Sequence, residues 1–127
     1  MSDPVDIFKA LGDETRLRLV NLLLQTEEDL CVCEMVDTLG LPQYQISKHL
    51  TILKNASLLR ASRKGTWVYY RLDGEESPLL SDLFKVLSRH LGLVFAEDSQ
   101  KLTQRLAMRE EGKCVVGFVS EKELEKP

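Results

Sequence analysis

Gly40-Leu41-Pro42 separates two short stretches of helical periodicity, and no other feature limits the fold so tightly. Before it, Val32, Met35, Val36 and Leu39 recur at i, i+3, i+4 and i+7, which predicts a helix from about Cys31 to Leu39 with one apolar face. After it, Ile46, Leu50 and Leu53 give the core stripe of a second helix from about Gln43 to Asn55. Glycine ends helices readily and proline starts them. Two helices joined by so short a turn form a helix-turn-helix candidate.

The flanking chain completes the layout. Asp3-Pro4 starts a helix to about Leu11 that carries Val5, Phe8 and Leu11, and Gly12 stops it. Asp13 caps the next helix, which runs to about Gln25 with Leu17, Val20, Leu23 and Leu24 as its stripe. The acidic stretch Thr26–Asp29 reads as a loop. Leu58–Lys64 and Thr66–Leu72 read as a β-hairpin with Arg63-Lys64-Gly65-Thr66 at its tip, Trp67 and Tyr69 on one face, Val68 and Tyr70 on the other. Ser77-Pro78 opens a long helix to about Ala96, with Leu80, Leu83, Leu87, Leu91 and Val94 in line. Ser99 is predicted to cap a last helix to about Met108. The order is α-α-α-α-β-β-α-α: a mainly α fold with a small β-hairpin, a winged helix-turn-helix. Its 127 residues suit a single domain. Residues 1–109 are expected to hold the DNA-binding and dimerisation functions, and 110–127 to be a flexible tail carrying Cys114.

Net charge is −3, which at first sight disfavours a nucleic-acid partner. The charge is unevenly spread. Residues 42–72 hold 6 Lys/Arg and none of the 20 acids, and this window coincides with the second helix of the pair and the hairpin. A basic surface on an otherwise acidic protein is an electrostatic footprint for a polyanion. No apolar run approaches the roughly 18 residues that span a bilayer, and the start lacks a basic stretch leading into an apolar one. A cytoplasmic protein with no membrane partner is expected. There is no Gly-rich phosphate loop, no HExxH and no GxSxG, and no nucleophile–base constellation, so enzymatic turnover and an organic cofactor are not expected.

Three cysteines form no closed disulfide framework. In a reducing compartment, clustered cysteines point to metal or redox chemistry. Cys31 and Cys33 would project about 200° apart on a regular helix, with Val32 buried between them, but to one side in an extended segment. One ion held by both therefore favours loosening of that helix's first turn. A helix N-terminus lowers thiol pKa, while Glu27, Glu28, Asp29 and Glu34 raise it. Soft thiolates select soft ions over magnesium or calcium.

Four segments together resemble the ArsR/SmtB family of metal-responsive repressors. Phe8-Lys9-Ala10-Leu11-Gly12-Asp13-Glu14-Thr15-Arg16-Leu17-Arg18-Leu19 is similar to its N-terminal signature, and Asp29-Leu30-Cys31-Val32-Cys33-Glu34-Met35 to its metal-binding segment. Gln45-Ile46-Ser47-Lys48-His49-Leu50 resembles its recognition helix, and Lys64-Gly65-Thr66-Trp67-Val68-Tyr69-Tyr70-Arg71-Leu72 its wing. The resemblance implies a homodimeric repressor that binds double-stranded operator DNA and releases it on binding As(III) or Sb(III). A Cd(II)/Pb(II) sensor and a thiol-redox switch are alternatives of the same fold. A winged helix that binds protein rather than DNA is a further one, disfavoured by the basic window.

The family's arsenic branch places a third cysteine three residues after the second, and that position is Val36 here. A three-sulfur site would therefore need Cys114, from the same or the partner subunit. The cadmium/lead branch adds N-terminal cysteines, and none precedes Cys31. The zinc branch's carboxylate and His set is not matched by Asp82, Phe84 and His90.

At about 100° per residue, Tyr44, Ser47, Lys48 and Thr51 lie opposite the core stripe of their helix, the side that can enter a major groove. Gln43 and Gln45, in the first turn, are placed to read base edges. His49 lies on the flank, suited equally to a phosphate or to the core border. Arg63 and Lys64 suit phosphate contact, giving affinity more than sequence choice.

Overall fold

The computed structural model describes residues 3–74, 77–112, 114, 117 and 118. The elements are α1 (Pro4–Leu11), α2 (Glu14–Leu24), β1 (Leu30–Cys31), α3 (Val32–Leu39), α4 (Gln43–Asn55), β2 (Leu59–Lys64), β3 (Trp67–Leu72), α5 (Pro78–Val94) and α6 (Ala96–Leu106). Among the described residues, no helix is long and apolar enough to cross a membrane.

Local chemistry sets several helix ends. The Asp3 carboxylate accepts the Val5 N–H at 2.8 Å, and that of Asp13 accepts the Arg16 N–H at 3.1 Å. The Ser77 hydroxyl accepts the Leu80 N–H at 3.3 Å. Each meets a first-turn amide that has no partner within its helix. Gly40 closes α3 at φ 67°, a left-handed conformation that glycine adopts without steric cost, and donates to the Val36 carbonyl at 2.8 Å. The predicted turn of the helix-turn-helix is therefore present, and α4 begins at Gln43 as its periodicity implies.

Helix α2 runs through the centre, with Leu19, Val20 and Leu22 fully buried. Ile46, Leu50 and Leu53 of α4 join them in one core. The strands form an antiparallel sheet in the order β1-β3-β2. Cys31 pairs with Tyr69, Ser62 with Tyr69 on its other side, and Lys64 with Trp67.

The structure departs from the sequence reading in four places. Cys31 is not helical: it belongs to β1, a two-residue strand that exists by pairing with β3. On α1 the inward residues are Ile7, Ala10 and Leu11, which leaves Val5 57% and Phe8 55% exposed. Val32 is only half-buried, whereas Cys33 and Glu34 are buried, because α6 also packs on α3. Ser99 is not a cap. Phe95, at φ −113° and ψ 45°, bends the chain so sharply that α6 starts at Ala96. The Ser99 hydroxyl donates instead to the Phe95 carbonyl and accepts from Asn21 Nδ2, both at 3.2 Å.

Candidate metal-binding site and nucleic-acid interface

The extended backbone of Cys31 (φ −88°, ψ 162°) sits immediately before the first turn of α3, which holds Cys33. This change of backbone brings Cys31 Sγ to 2.9 Å from Cys33 Sγ. Cys114 returns from the far end of the chain, with its Sγ 3.2 Å from that of Cys31 and 3.5 Å from that of Cys33. All three residues are at most 2% exposed. Two sulfurs on one ion with bonds of about 2.3 Å lie no more than about 4.6 Å apart, and all three separations fall within that reach. The thiols already converge with the first turn of α3 intact, so bringing them together does not require that turn to loosen. Cys114 is a buried neighbour of the other two. Much of the rest of the expected tail (113, 115–116 and 119–127) lies outside the described residues.

Buried charge surrounds the thiols. Glu34, fully buried, accepts the Cys31 N–H at 3.0 Å and two hydrogen bonds from Arg109, both at 2.6 Å. Arg105 donates from Nε to Asp37 at 2.8 Å and lies 3.8 Å from Cys33 Sγ through Nη2. The Tyr69 hydroxyl accepts the Cys114 N–H at 3.2 Å. The thiols respond differently to these surroundings. Cys33 is pulled down to about 6, foremost by its hydrogen bond with Cys31, with Cys114 and the Arg105 charge adding to it against burial. Cys31 is pushed up by the same hydrogen bond and then by burial. Cys114 is raised chiefly by burial. The hydrogen bonds among the thiols and their burial, more than the helix end or the neighbouring acids, set these differences. A cleft of about 530 Å³, lined by Lys64, Trp67, Tyr69, Arg109 and Cys114 among others, lies against the cluster.

On α4, Gln43, Tyr44, Lys48 and Thr51 are exposed, while Gln45 and Ser47 are half-buried. The Thr51 hydroxyl donates to the Ser47 carbonyl at 3.0 Å. His49 departs from this set. It is 8% exposed and turned inward, its Nδ1 3.1 Å from Arg16 Nη1 and 3.9 Å from an Asp13 carboxylate oxygen. The core border, not the outward face, claims its ring. Arg63 and Lys64 are exposed on the wing, with Lys64 Nζ 3.5 Å from Asp29 Oδ2 and 5.3 Å from the Tyr69 ring centre.

A short turn between α3 and α4, followed by a hairpin wing, defines a winged helix-turn-helix domain. Solved structures of that class superpose on it. HlyU from Vibrio cholerae has a TM-score of 0.58 at 26% identity, over 72% of this chain and 90% of its own. A homodimeric winged helix-turn-helix DNA-binding domain from Mycobacterium bovis has a TM-score of 0.56 at 31% identity, over 70% of this chain and 82% of its own.

The sequence relatives are more specific. Residues 13–61 match the family described as bacterial regulatory protein, arsR family. The arsenic resistance transcriptional regulator ArsR2 of Pseudomonas putida is 42% identical over 86 residues, covering 68% of this chain and 74% of that protein. ArsR1 of the same organism is 50% identical over 72 residues, which span 57% of this chain and 56% of that regulator's length. The chain belongs to the ArsR family, whose members of this fold are DNA-binding transcriptional regulators and not enzymes.

Sequence reasoning found the three cysteines and placed the Glu34 charge beside them, but missed its hydrogen bonds and missed Asp37, Tyr69, Arg105 and Arg109 as their surroundings. One signal was present: Glu34 stands three residues after Cys31, the spacing at which a side chain reaches back to a helix's capping amide. The arginines carried none, because their partners lie 68 and 75 positions away.

Proposed function

We propose that the chain is a homodimeric repressor that binds operator DNA and releases it when Cys31, Cys33 and Cys114 of one subunit take up As(III) or Sb(III). The convergence of three buried sulfurs within 3.5 Å carries the reading. Counted from neutral thiols, arsenous acid exchanges its three hydroxyls for three sulfurs. Three As–S bonds form, each S–H proton leaves with a hydroxide as water, and no net charge is buried. A divalent cadmium or lead ion on three thiolates would leave one negative charge there. Burying that charge is costly, and Arg105, the cation 3.8 Å from Cys33 Sγ, is shared with Asp37.

Gln43, Tyr44, Gln45, Ser47, Lys48 and Thr51 form the groove-facing set, with Arg63 and Lys64 on phosphates. Two routes link thiols to DNA. Cys31 pairs with Tyr69 in the wing's inner strand, and α3 leads through Gly40 into α4. A ligand shifts the DNA-bound equilibrium only by binding the two states unequally. Exposed Val5 and Phe8 on α1, and Leu93 and Val94 on α5, supply an apolar self-interface. The M. bovis relative is homodimeric, in keeping with this. Reduced thiols and DNA coexist in the cytoplasm, the expected compartment.

The deciding experiment titrates operator release with arsenite, antimonite, cadmium and lead, using wild type and Cys31→Ser, Cys33→Ser and Cys114→Ser. Release by arsenite and antimonite, weakened in all three variants, supports the proposal. Release by none of the four ions, or an unaffected Cys114→Ser, defeats it.

A further inference from the structure

Arg109 holds the surroundings of all three thiols with one side chain. Its Nη2 donates to the Asp29 carbonyl at 2.5 Å, two residues before Cys31. Nε and Nη2 each donate to the Glu34 carboxylate at 2.6 Å, one residue after Cys33. Nη1 donates to the Gly112 carbonyl at 3.4 Å, two residues before Cys114. The guanidinium also lies 5.7 Å from the ring centre of Tyr69, whose hydroxyl takes the Cys114 N–H. The Arg109 side chain is 7% exposed and that of Glu34 is fully buried, so water offers this pair little competition, whereas the Gly112 contact is exposed.

Cys31 and Cys33 are held close by the strand-to-helix junction itself. Cys114 has no such local constraint, being 81 positions from Cys33. Its seat depends on whatever ties its segment to α3. The planar guanidinium can do this because it presents five donors in a fixed fork. A lysine in its place would offer a point charge that cannot reach the same acceptors with defined directions.

Resting on the three-thiol reading above, we propose that Arg109 is a positioning residue that seats the third thiol. It thereby sets the preference for ligands with three exchangeable positions over those that need only two sulfurs. The choice of ligand is made partly outside the cysteines, at the turn that follows α6.

Two arsenicals separate this role from general support of the fold. Arsenous acid forms three As–S bonds and releases three waters. Phenylarsine oxide keeps its carbon substituent and forms two As–S bonds, its oxygen leaving as one water with both thiol protons. It therefore needs only Cys31 and Cys33. The variants are Arg109→Lys and the double change Glu34→Gln with Arg109→Met. The double change leaves no charge stranded in the interior and keeps an acceptor for the Cys31 N–H. Arsenite affinity should fall about 10- to 100-fold, the usual effect of removing a group that orients metal ligands, while phenylarsine oxide affinity and the operator affinity of ligand-free protein stay at wild-type levels. Cys114→Ser should give the same pattern. A loss shared by both arsenicals, or by neither, overturns the role given to Arg109. If Cys114→Ser keeps wild-type arsenite affinity, the three-thiol reading itself fails and the role of Arg109 fails with it.

Discussion

Arg109 grips Glu34 with two hydrogen bonds of 2.6 Å, across a separation of 75 positions. The carboxylate is fully buried. A buried pair of this kind is far costlier to halve than to replace. Arg109→Met alone, which strands the Glu34 charge, should destabilise the protein by about 3–5 kcal/mol. Adding Glu34→Gln should restore much of that loss. Urea denaturation of the two single variants and the double one measures the coupling, and additive losses would contradict a paired burial.

The same pair sets an acid limit. Burial alone would raise the Glu34 carboxyl, but Arg109 and the Cys31 amide outweigh it and hold the group below its usual 4.5. A group with a depressed folded pKa stabilises the fold above its unfolded value and loses that contribution as pH falls through the folded one. The stability gap between wild type and Glu34→Gln should be flat near neutrality. It should shrink once pH drops below about 4.5. Denaturation midpoints across an acid series would show this, and a gap that widens on acidification would contradict it.

His49 gives a dependence at higher pH. Burial, with help from Arg16 and Lys48 and against Asp13, lowers it below its usual 6.5. Protonation then favours the unfolded chain. The histidine's contribution is complete above pH 6.5 and declines as pH falls below that value. His49→Gln should remove this dependence and leave the salt dependence of operator binding unchanged. A shallower salt slope in the variant would return the ring to the phosphate-contacting set.

The wing and α4 should separate in their effects on DNA. Arg63→Ala should reduce the slope of log K against log salt by about 0.9 for each phosphate that the arginine neutralises, with little change in sequence preference. Gln45→Ala should leave the slope alone and cost about 1–3 kcal/mol of base discrimination at one position. Fluorescence anisotropy on operator and scrambled duplexes over a salt series reads both quantities.

Leu93 and Val94, 83% and 69% exposed at the end of α5, are the test of self-association. A charge there opposes burial of an apolar face. Leu93→Glu should yield monomers by sedimentation at micromolar protein and weaken operator binding. A wild-type protein that sediments as a monomer would defeat the dimer outright.

The helix-turn-helix, the wing and the caps at Asp3, Asp13 and Ser77 were legible because each is written within a few residues. The pairing of Cys31 with Cys33 was legible as a spacing, but its geometry was not. Period alone placed Cys31 on a helix, whereas pairing with Tyr69 holds it extended. Ser99 shows the same limit from the other side. Its chemistry suits a cap, yet the bend at Phe95 starts α6 earlier and turns its hydroxyl to other partners.

The sequence by itself determined which segments become helices, where they stop, where positive charge collects and which family the chain resembles. The helices and their ends come from torsional preference, capping and amphipathic period, all acting over one or two turns, and the charge and the resemblance are read directly from residue identity. The tertiary structure decided that Cys114 meets Cys31 and Cys33, and that Arg105 and Arg109 close around them. Such contacts join groups more than 70 positions apart in the chain. No local periodicity encodes them, because they depend on the path by which α6 packs against α3 and carries the last cysteine back to the first two.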